Sequence, residues 1–133
     1  MRVDGNYGGI PAYAPNSEGY WSPQPDAAEP PLDLEGAMYR FDPKDDPADD
    51  NFRAGGELYR LMTEDKRKLL IENTAADIAP VTDNVKYRHV VHCYLADTEY
   101  GERITAAMGL ELEKVKELSK LDNTGLIEAT LKP

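Results

Sequence analysis

The sequence predicts a mainly α-helical protein: a small cluster of about four to five helices preceded by an extended arm rich in proline and glycine. Two observations support this prediction. Eight of the ten prolines lie before residue 52, and each proline fixes φ and removes a backbone donor. From residue 56 onwards, apolar residues recur at the spacing of an α-helix. We therefore predict an extended arm over residues 1–54 and a helical domain over residues 55–133.

The arm combines acidic residues with aromatic ones. Up to Arg53, eleven acidic residues accompany four basic residues, a composition that by itself favours disorder. The aromatic residues are nevertheless too numerous for a spacer, and aromatic side chains bury a large area for few ordered torsions. We therefore expect the arm to lie on another protein surface. The predicted anchors are Tyr7, Tyr13, Asn16, Tyr20 and Trp21.

Two short stretches close the arm. The segment AMYRF, residues 37–41, alternates like a short strand. The acidic run DPKDDPADD, residues 42–50, superficially resembles a calcium loop. It lacks the alternating ligands, central glycine and final glutamate of such a loop and contains Pro47. We interpret it as a solvated turn followed by a cap for the first helix.

The first two helices are predicted over about residues 56–62 and 64–78. Thr63 is the expected N-cap of the second helix, because acidic residues follow it in the first turn. Pro80 ends that helix. The apolar positions of both helices are expected to serve the core or a docking surface. These positions are Leu58, Tyr59, Leu61, Leu69 and Leu70.

Three more helices are predicted towards the C-terminus. The third runs from residue 82 or 83 to about 96, the fourth from its cap Thr98 to Gly109, and the fifth over residues 111–121. We expect the tail after residues 123–125 to be frayed. The predicted buried face of the third helix comprises Val85, His89, Val90, Cys93 and Tyr94.

The small size of the helical part predicts that it docks onto something else. A core built from about 75 to 80 residues supplies only about 3 to 5 kcal/mol of stability. We therefore expect a homo-oligomer or another protein partner, with exposed apolar surface on the isolated monomer.

Charge and hydropathy exclude several classes of function. The formal net charge of −10 argues against binding to nucleic acid, whose phosphates need a concentrated Lys/Arg surface. It also argues against binding to anionic membranes, which would repel the protein. No apolar run approaches the roughly 18 to 20 residues needed to cross a bilayer. The N-terminus also lacks the basic and apolar regions of a signal peptide. These features predict a cytoplasmic protein.

One constellation suggests metal binding. The run RHVVHC places His89, His92 and Cys93 near one side of a helix, a spacing that could begin a metal site. The competing interpretation is one packed histidine, one exposed histidine and a small buried cysteine. We favour the second interpretation, because the sequence has no second cluster of His or Cys residues to complete a tetrahedral set of metal ligands. Since phosphate loops of the GxGxxG or GxxxxGK[ST] type are also missing, the residues alone predict neither an active site nor a cofactor site.

Four stretches of the sequence together carry a family resemblance. MRVDGNYGGIPAYAPNS, residues 1–17, resembles the segment that leaves the haem barrel of monofunctional haem catalases and wraps over neighbouring subunits. DDNFRAGGELYRLMTEDKRKLLIEN, residues 49–73, resembles the start of the family's C-terminal helical region. ADTEYGERI, residues 96–104, matches its D-x-EYG-x-R signature, and GAMYRFD, residues 36–42, fits between the motifs. The motifs keep the family's order.

The resemblance implies the C-terminal part of an enzyme family that decomposes hydrogen peroxide to water and oxygen. In that family the tyrosine that ligates the haem iron, the distal histidine and the asparagine lie upstream, in the barrel. Tyr7, Tyr13 and Tyr20 do not follow the family's R-x-F-S-Y pattern. We therefore expect haem in the full-length family but not in this chain, and no activity from the chain alone.

The resemblance also bears on NADPH, which many catalases bind between the barrel and the helical domain. A glutamine commonly occupies the position that Ala54 holds in this sequence. Because alanine has no amide to offer the dinucleotide, NADPH binding is doubtful for this chain.

Three hypotheses follow. The leading one is a non-catalytic, catalase-related helical domain that serves packing and oligomer interlocking. The second is a piece of a split catalase that acts with a haem-bearing barrel partner. The third is an independent binding module that holds its ligand at His89, His92 and Cys93.

Overall fold

A computed structural model describes the second half of the chain and scattered residues of the first. The described residues are Tyr13, Asn16, Trp21, Ser22, residues 24–27, Pro30, Gly36 and residues 50–131. The chain divides into two units, Met1–Asp49 and Asp50–Pro133. In the first unit, Pro25–Ala27 form a short 3₁₀ turn. The strand predicted at residues 37–41 lies outside the described residues.

Helices make up the second unit. They are α1 (Arg53–Leu61), α2 (Glu64–Ile78), α3 (Asp83–Ala96), α4 (Thr98–Ala107), α5 (Leu112–Leu118) and α6 (Asn123–Ala129). No strand occurs within residues 50–131, so the predicted mainly α-helical class is confirmed. The predicted bounds of α2 and α3 agree with the structure.

The first helix begins three residues earlier than predicted. The Asp50 carboxylate accepts hydrogen bonds from the backbone N–H groups of Phe52 (3.1 Å) and Arg53 (3.0 Å). These are donors that the first turn of a helix leaves unsatisfied. The last residue of the acidic run therefore satisfies donors at the start of α1, although the N-cap residue itself is Phe52.

The predicted cap of α4 is wrong by one residue. Asp97, in an extended conformation, is the N-cap, and its side chain accepts a hydrogen bond from the Tyr100 backbone N–H at 3.3 Å. Thr98 is already helical. Aspartate is a strong N-cap residue because its carboxylate both accepts this bond and complements the helix dipole.

The prediction of a frayed tail is also wrong, because residues 123–129 form α6. Asp122 caps this helix by accepting a 2.8 Å hydrogen bond from the Gly125 N–H. Leu126 is buried, and the Arg88 guanidinium on α3 donates to the Ile127 carbonyl at 3.2 Å. A cap, a buried anchor and a long-range hydrogen bond together keep the tail helical.

The fifth helix is shorter than predicted and ends at Leu118. Beyond it, the N–H groups of Lys120 and Leu121 donate to the carbonyls three residues earlier. This is the tighter 3₁₀ pattern with which many α-helices end.

The core is centred on α3. Val90, Ile104 and Val115, from α3, α4 and α5, are fully buried. Small residues allow close approach: a Cβ added to Gly101 on α4 would lie 2.4 Å from the Tyr94 Cα on α3. The core residues are Ile71, Tyr87, Val90, Val91, Cys93, Ile104, Val115, Leu118 and Leu126.

The buried face of α3 is wider than the single stripe predicted. Val90 and Cys93 are buried as expected, but so are Tyr87 and Val91, which the prediction missed. The remaining predicted positions, Val85, His89 and Tyr94, are only half-buried. The reason is that α3 packs against α1, α4 and α5, so several of its sides are covered. In the described part of the chain, no helix is both long and apolar enough to cross a membrane.

Candidate docking surface and the tyrosine cluster beneath it

The apolar positions predicted on α1 and α2 separate into inner and outer residues. Leu58, Leu61 and Leu69 expose 58%, 83% and 56% of their surface, whereas Tyr59 exposes 1%. Leu70 is half-buried. We call Leu58, Leu61 and Leu69 the outer leucines. Leu58 and Leu61 are three residues apart and therefore lie on one side of α1.

Tyr59 attaches α1 to α2 and α4. Its ring stacks on that of Tyr100 in α4, with centroids 4.9 Å apart and planes 21° from parallel. The Arg67 guanidinium of α2 lies 4.8 Å from the centroid of the Tyr59 ring, a distance at which a cation is attracted to the aromatic face. One buried side chain thus joins three helices.

Charged side chains surround the hydroxyl of Tyr59. The hydroxyl donates to the Glu99 carboxylate and accepts from the Arg103 guanidinium, both at 3.4 Å. Arg103 also binds the Glu64 carboxylate with two nitrogens, at 2.7 and 3.1 Å. This two-nitrogen geometry is the stronger form of an arginine–carboxylate pair. We call Tyr59, Glu64, Arg67, Glu99, Tyr100 and Arg103 the Tyr59 cluster.

Arg67 closes the C-terminal end of α1. Its Nε donates to the carbonyl of Tyr59 at 3.1 Å, and its Nη2 donates to the carbonyl of Arg60 at 2.9 Å. The last carbonyls of a helix have no partner within the helix. A cation at this end also complements the helix dipole. A side chain of α2 therefore satisfies the end of α1.

The remaining attachments of α1 lie near the junction of α3 and α4. A Cβ added to Gly56 would lie 1.9 Å from the Ala96 carbonyl oxygen, so only glycine permits this approach. Arg60 forms a 2.8 Å ion pair with Asp97, whose side chain is 14% exposed. The residue that caps α4 therefore also holds α1.

The structure gives each fixed residue of the D-x-EYG-x-R motif a packing role. Asp97 caps α4 and pairs with Arg60. Glu99 and Arg103 bind around Tyr59, and Tyr100 stacks on its ring. Gly101 leaves room for the backbone of α3. The motif thus explains how the helices hold together, and these contacts account for every fixed position.

The electrostatics of the cluster follow from burial and from the two arginines. Burial raises the pKa of Tyr59, and burial raises the pKa of Tyr100 to about 12. The hydrogen bond from Arg103 lowers the pKa of the Glu64 carboxyl. The tyrosines therefore stay neutral and Glu64 stays ionised near neutral pH. This charge state favours the ion pair with Arg103.

The predicted metal candidates are only partly brought together. The Cys93 Sγ lies 3.5 Å from the His89 Nε2, and burial raises the pKa of the Cys93 thiol. His92 is exposed, and its ring lies 5.6 Å from that of Phe52. Among the described residues, no three His, Cys, Asp or Glu side chains form a metal-binding group.

Three of the five predicted arm anchors are described. Tyr13 is 66% exposed and Trp21 is 41% exposed. Asn16 donates a 2.8 Å hydrogen bond to the Tyr13 carbonyl. Tyr7 and Tyr20 lie outside the described residues. The role of these residues as anchors stays a prediction.

Comparison with known proteins identifies the helical unit. Residues 45–108 match the family described as "Catalase-related immune-responsive". This chain carries a catalase-related domain. The matched region includes the whole Tyr59 cluster and the outer leucines and ends after α4, so α5 and α6 lie beyond it.

The chain is also similar to catalases over most of its length. The catalase of Aliivibrio fischeri is 43% identical over 114 residues, which are 86% of this chain and 23% of that protein. Catalase A of Staphylococcus xylosus is 42% identical over 117 residues. The catalase of Staphylococcus aureus strain USA300 is 40% identical over 126 residues, which are 93% of this chain and 25% of that protein.

These matches confirm the resemblance seen in the motifs. They cover most of the chain, and the chain spans about a quarter of the length of the catalases that it matches.

Proposed function

We propose that this chain is a non-catalytic packing module of a catalase, which docks through its outer leucines onto a haem-bearing barrel. The reaction of the assembled protein would be that of the family, the decomposition of hydrogen peroxide to water and oxygen in oxidative-stress defence. The chain itself would contribute an interface rather than catalytic groups.

The observation that carries this proposal is the division of α1 into two sides. Tyr59 is buried in the chain's own structure, while Leu58 and Leu61 expose more than half of their surface. Fully burying a leucine is worth about 1.5 to 3 kcal/mol. Three exposed leucines on α1 and α2 therefore favour contact with another surface, and the similarity to catalases supports our choice of a catalase barrel as that surface.

The proposal assigns the cofactors to the partner. Haem would be bound by the barrel, and no haem or NADPH by this chain alone. Ala54, exposed in the first turn of α1, has no side-chain amide for a dinucleotide. We place the protein in the cytoplasm, where a reducing environment suits the buried free thiol of Cys93.

Without a barrel, the outer leucines should drive self-association of the chain. The test is sedimentation velocity across a range of concentrations, comparing wild type with the triple variant Leu58→Ser, Leu61→Ser, Leu69→Ser. The control is Leu121→Ser with Ile127→Ser, because these side chains are similarly exposed, at 43% and 48%, but lie towards the C-terminus. We expect wild type and control to associate and the triple variant to stay monomeric. A monomeric wild type, or equal association of all three proteins, would contradict the proposal.

A second candidate function is that of one piece of a split catalase, active once joined to a haem-bearing barrel. The observation that favours it is the 40–43% identity to catalases over most of the chain. Mixing the chain with Staphylococcus xylosus catalase A from which the matching region has been deleted should raise oxygen release from hydrogen peroxide. If the rate of oxygen release did not change and gel filtration showed no complex, the chain would not act as a piece of a split catalase with this truncated catalase A.

A further inference from the structure

The hydrophobic core and α1 are separate in the structure. The core residues all lie between Ile71 and Leu126, on α2 to α6, and among the described residues none belongs to α1. The buried residues of α1 itself are Gly56 and Tyr59. Tyr59 therefore attaches α1 at the edge of the core, through Tyr100, which itself packs against the core residues.

The sequence of α1 makes this attachment necessary. The helix has nine residues, and isolated helices shorter than about 12 to 15 residues are marginal in water. Two consecutive glycines, Gly55 and Gly56, lie within it, and each costs about 1 kcal/mol relative to alanine in a helix. Without its contacts α1 would not remain helical.

The Tyr59 ring itself is buried, but the side chains that bind around it are charged and reach solvent. The side chains of Arg67 and Arg103 are 20% and 27% exposed, and those of Glu64 and Glu99 are 70% and 53% exposed. Ion pairs with this exposure are screened by salt and contribute less than buried apolar contacts, although the two-nitrogen pair of Arg103 and Glu64 is the strongest of them. The core, by contrast, consists of side chains that water does not reach.

We propose that α1 is a strap that opens as a unit while α2 to α6 remain folded, and that the Tyr59 cluster is the latch that holds it closed. Opening exposes the rings of Tyr59 and Tyr100 and releases Arg67 from the carbonyls that it caps. The proposal rests on contacts within the chain and does not depend on the docking function of the outer leucines.

Native-state hydrogen exchange on the full chain tests the strap. In wild type, the amides of α1 should exchange at least about tenfold faster, relative to their intrinsic rates, than those of Val91 and Ile104 in the core. Raising the salt from low to high concentration should speed exchange in α1 and leave the core amides unchanged. Equal protection of α1 and the core would overturn the proposal.

A matched pair of variants tests the latch. Glu64→Gln removes the charge that binds Arg103, whereas Asp65→Asn removes a neighbouring charge in the first turn of α2. Both variants alter the helix dipole interaction alike. We expect Glu64→Gln to speed exchange in α1 by about two- to fivefold without changing the Val91 and Ile104 amides, and Asp65→Asn to change α1 little. If both variants changed the exchange rates of α1 equally, or if the α1 and core amides shifted together, the Tyr59 cluster would not be the latch of α1.

Discussion

The Tyr59 cluster and the core hold helices of one small domain together by different means. The core joins α2 to α6 through apolar side chains such as Val90 and Ile104, which are fully buried. The Tyr59 cluster joins α1 to α2 and α4 through one buried ring, two arginines and two carboxylates. Burial of apolar area does not depend on charge, whereas partly exposed ion pairs are screened by salt. The contrast predicts that α1 is released at a lower cost than α3 or α4, whose buried side chains form most of the core.

The largest expected effect comes from the core. Ile104→Ala should lower the free energy of unfolding by about 2 to 5 kcal/mol, because it deletes methyl groups at a site with no exposure and leaves a cavity. Leu61→Ala, at a position 83% exposed, should change it by less than about 0.5 kcal/mol. Urea denaturation followed by circular dichroism measures both. Similar losses in the two variants would remove the distinction between inner and outer residues.

Two adjacent glycines of α1 should respond with opposite signs. A Cβ at Gly56 would collide with the Ala96 carbonyl at 1.9 Å, whereas at Gly55 the neighbour is the Ala96 Cβ at 3.8 Å. Gly56→Ala should therefore destabilise the attachment of α1 by about 1 to 3 kcal/mol, while Gly55→Ala should stabilise the helix by about 0.5 to 1 kcal/mol.

Exchange of the α1 amides reports both glycine effects locally. If Gly56→Ala were as well tolerated as Gly55→Ala, the close approach of α1 to the end of α3 would be incorrect.

Removing the hydroxyl of Tyr59 should have a smaller effect. Tyr59→Phe keeps the stacking on Tyr100 but leaves Glu99 and Arg103 without one hydrogen-bond partner. Because both groups are charged and partly solvated, we expect a loss of about 0.5 to 1.5 kcal/mol, confined to α1. Tyr100→Phe is the matched control, because it keeps the same ring stack. Since the Tyr100 hydroxyl contacts Cys93, we expect this variant to speed exchange of core amides instead of α1 amides. Identical exchange patterns for both variants would contradict this assignment.

The smallest predicted effect is a dependence on pH. The hydrogen bond from Arg103 holds the pKa of Glu64 below its usual value. A carboxyl group with a lowered folded-state pKa stabilises the fold above its unfolded pKa of about 4.3 and loses that contribution as the pH falls through its folded value. Protection of the α1 amides should thus decrease as the pH falls below about 5.

The variant Glu64→Gln should show less of this decrease, and Asp65→Asn should retain it. A pH response that is identical in all three proteins would show that Glu64 is not its source.

The local helical structure could be predicted from the sequence, whereas the Tyr59 cluster could not. The bounds of α2 followed from helical spacing, an N-cap position and a following proline. The cluster could not be foreseen, because Tyr59 meets Glu99 and Arg103 across 40 and 44 residues of sequence. No periodic pattern specifies which apolar residue of α1 faces inwards, so Leu58, Tyr59 and Leu61 were equivalent until the partners of Tyr59 were known.

The missed sixth helix has a different explanation, because its signal is local. Asp122 followed three residues later by Gly125, with Leu126 as the next apolar residue, is a recognisable N-cap sequence. The prediction of a frayed tail relied on the position of these residues near the C-terminus and not on this signal. The anchoring of α6 by Arg88, by contrast, depends on tertiary structure and lies beyond sequence patterns.

A haemin titration of the purified chain tests most directly the central claim that the chain does not build a haem site itself. Soret absorbance and oxygen release from hydrogen peroxide would be followed together. We predict the spectrum of free haemin and background oxygen release at every ratio of haemin to protein. A stoichiometric Soret shift with rapid oxygen evolution would contradict this account and assign the catalytic centre to the chain itself.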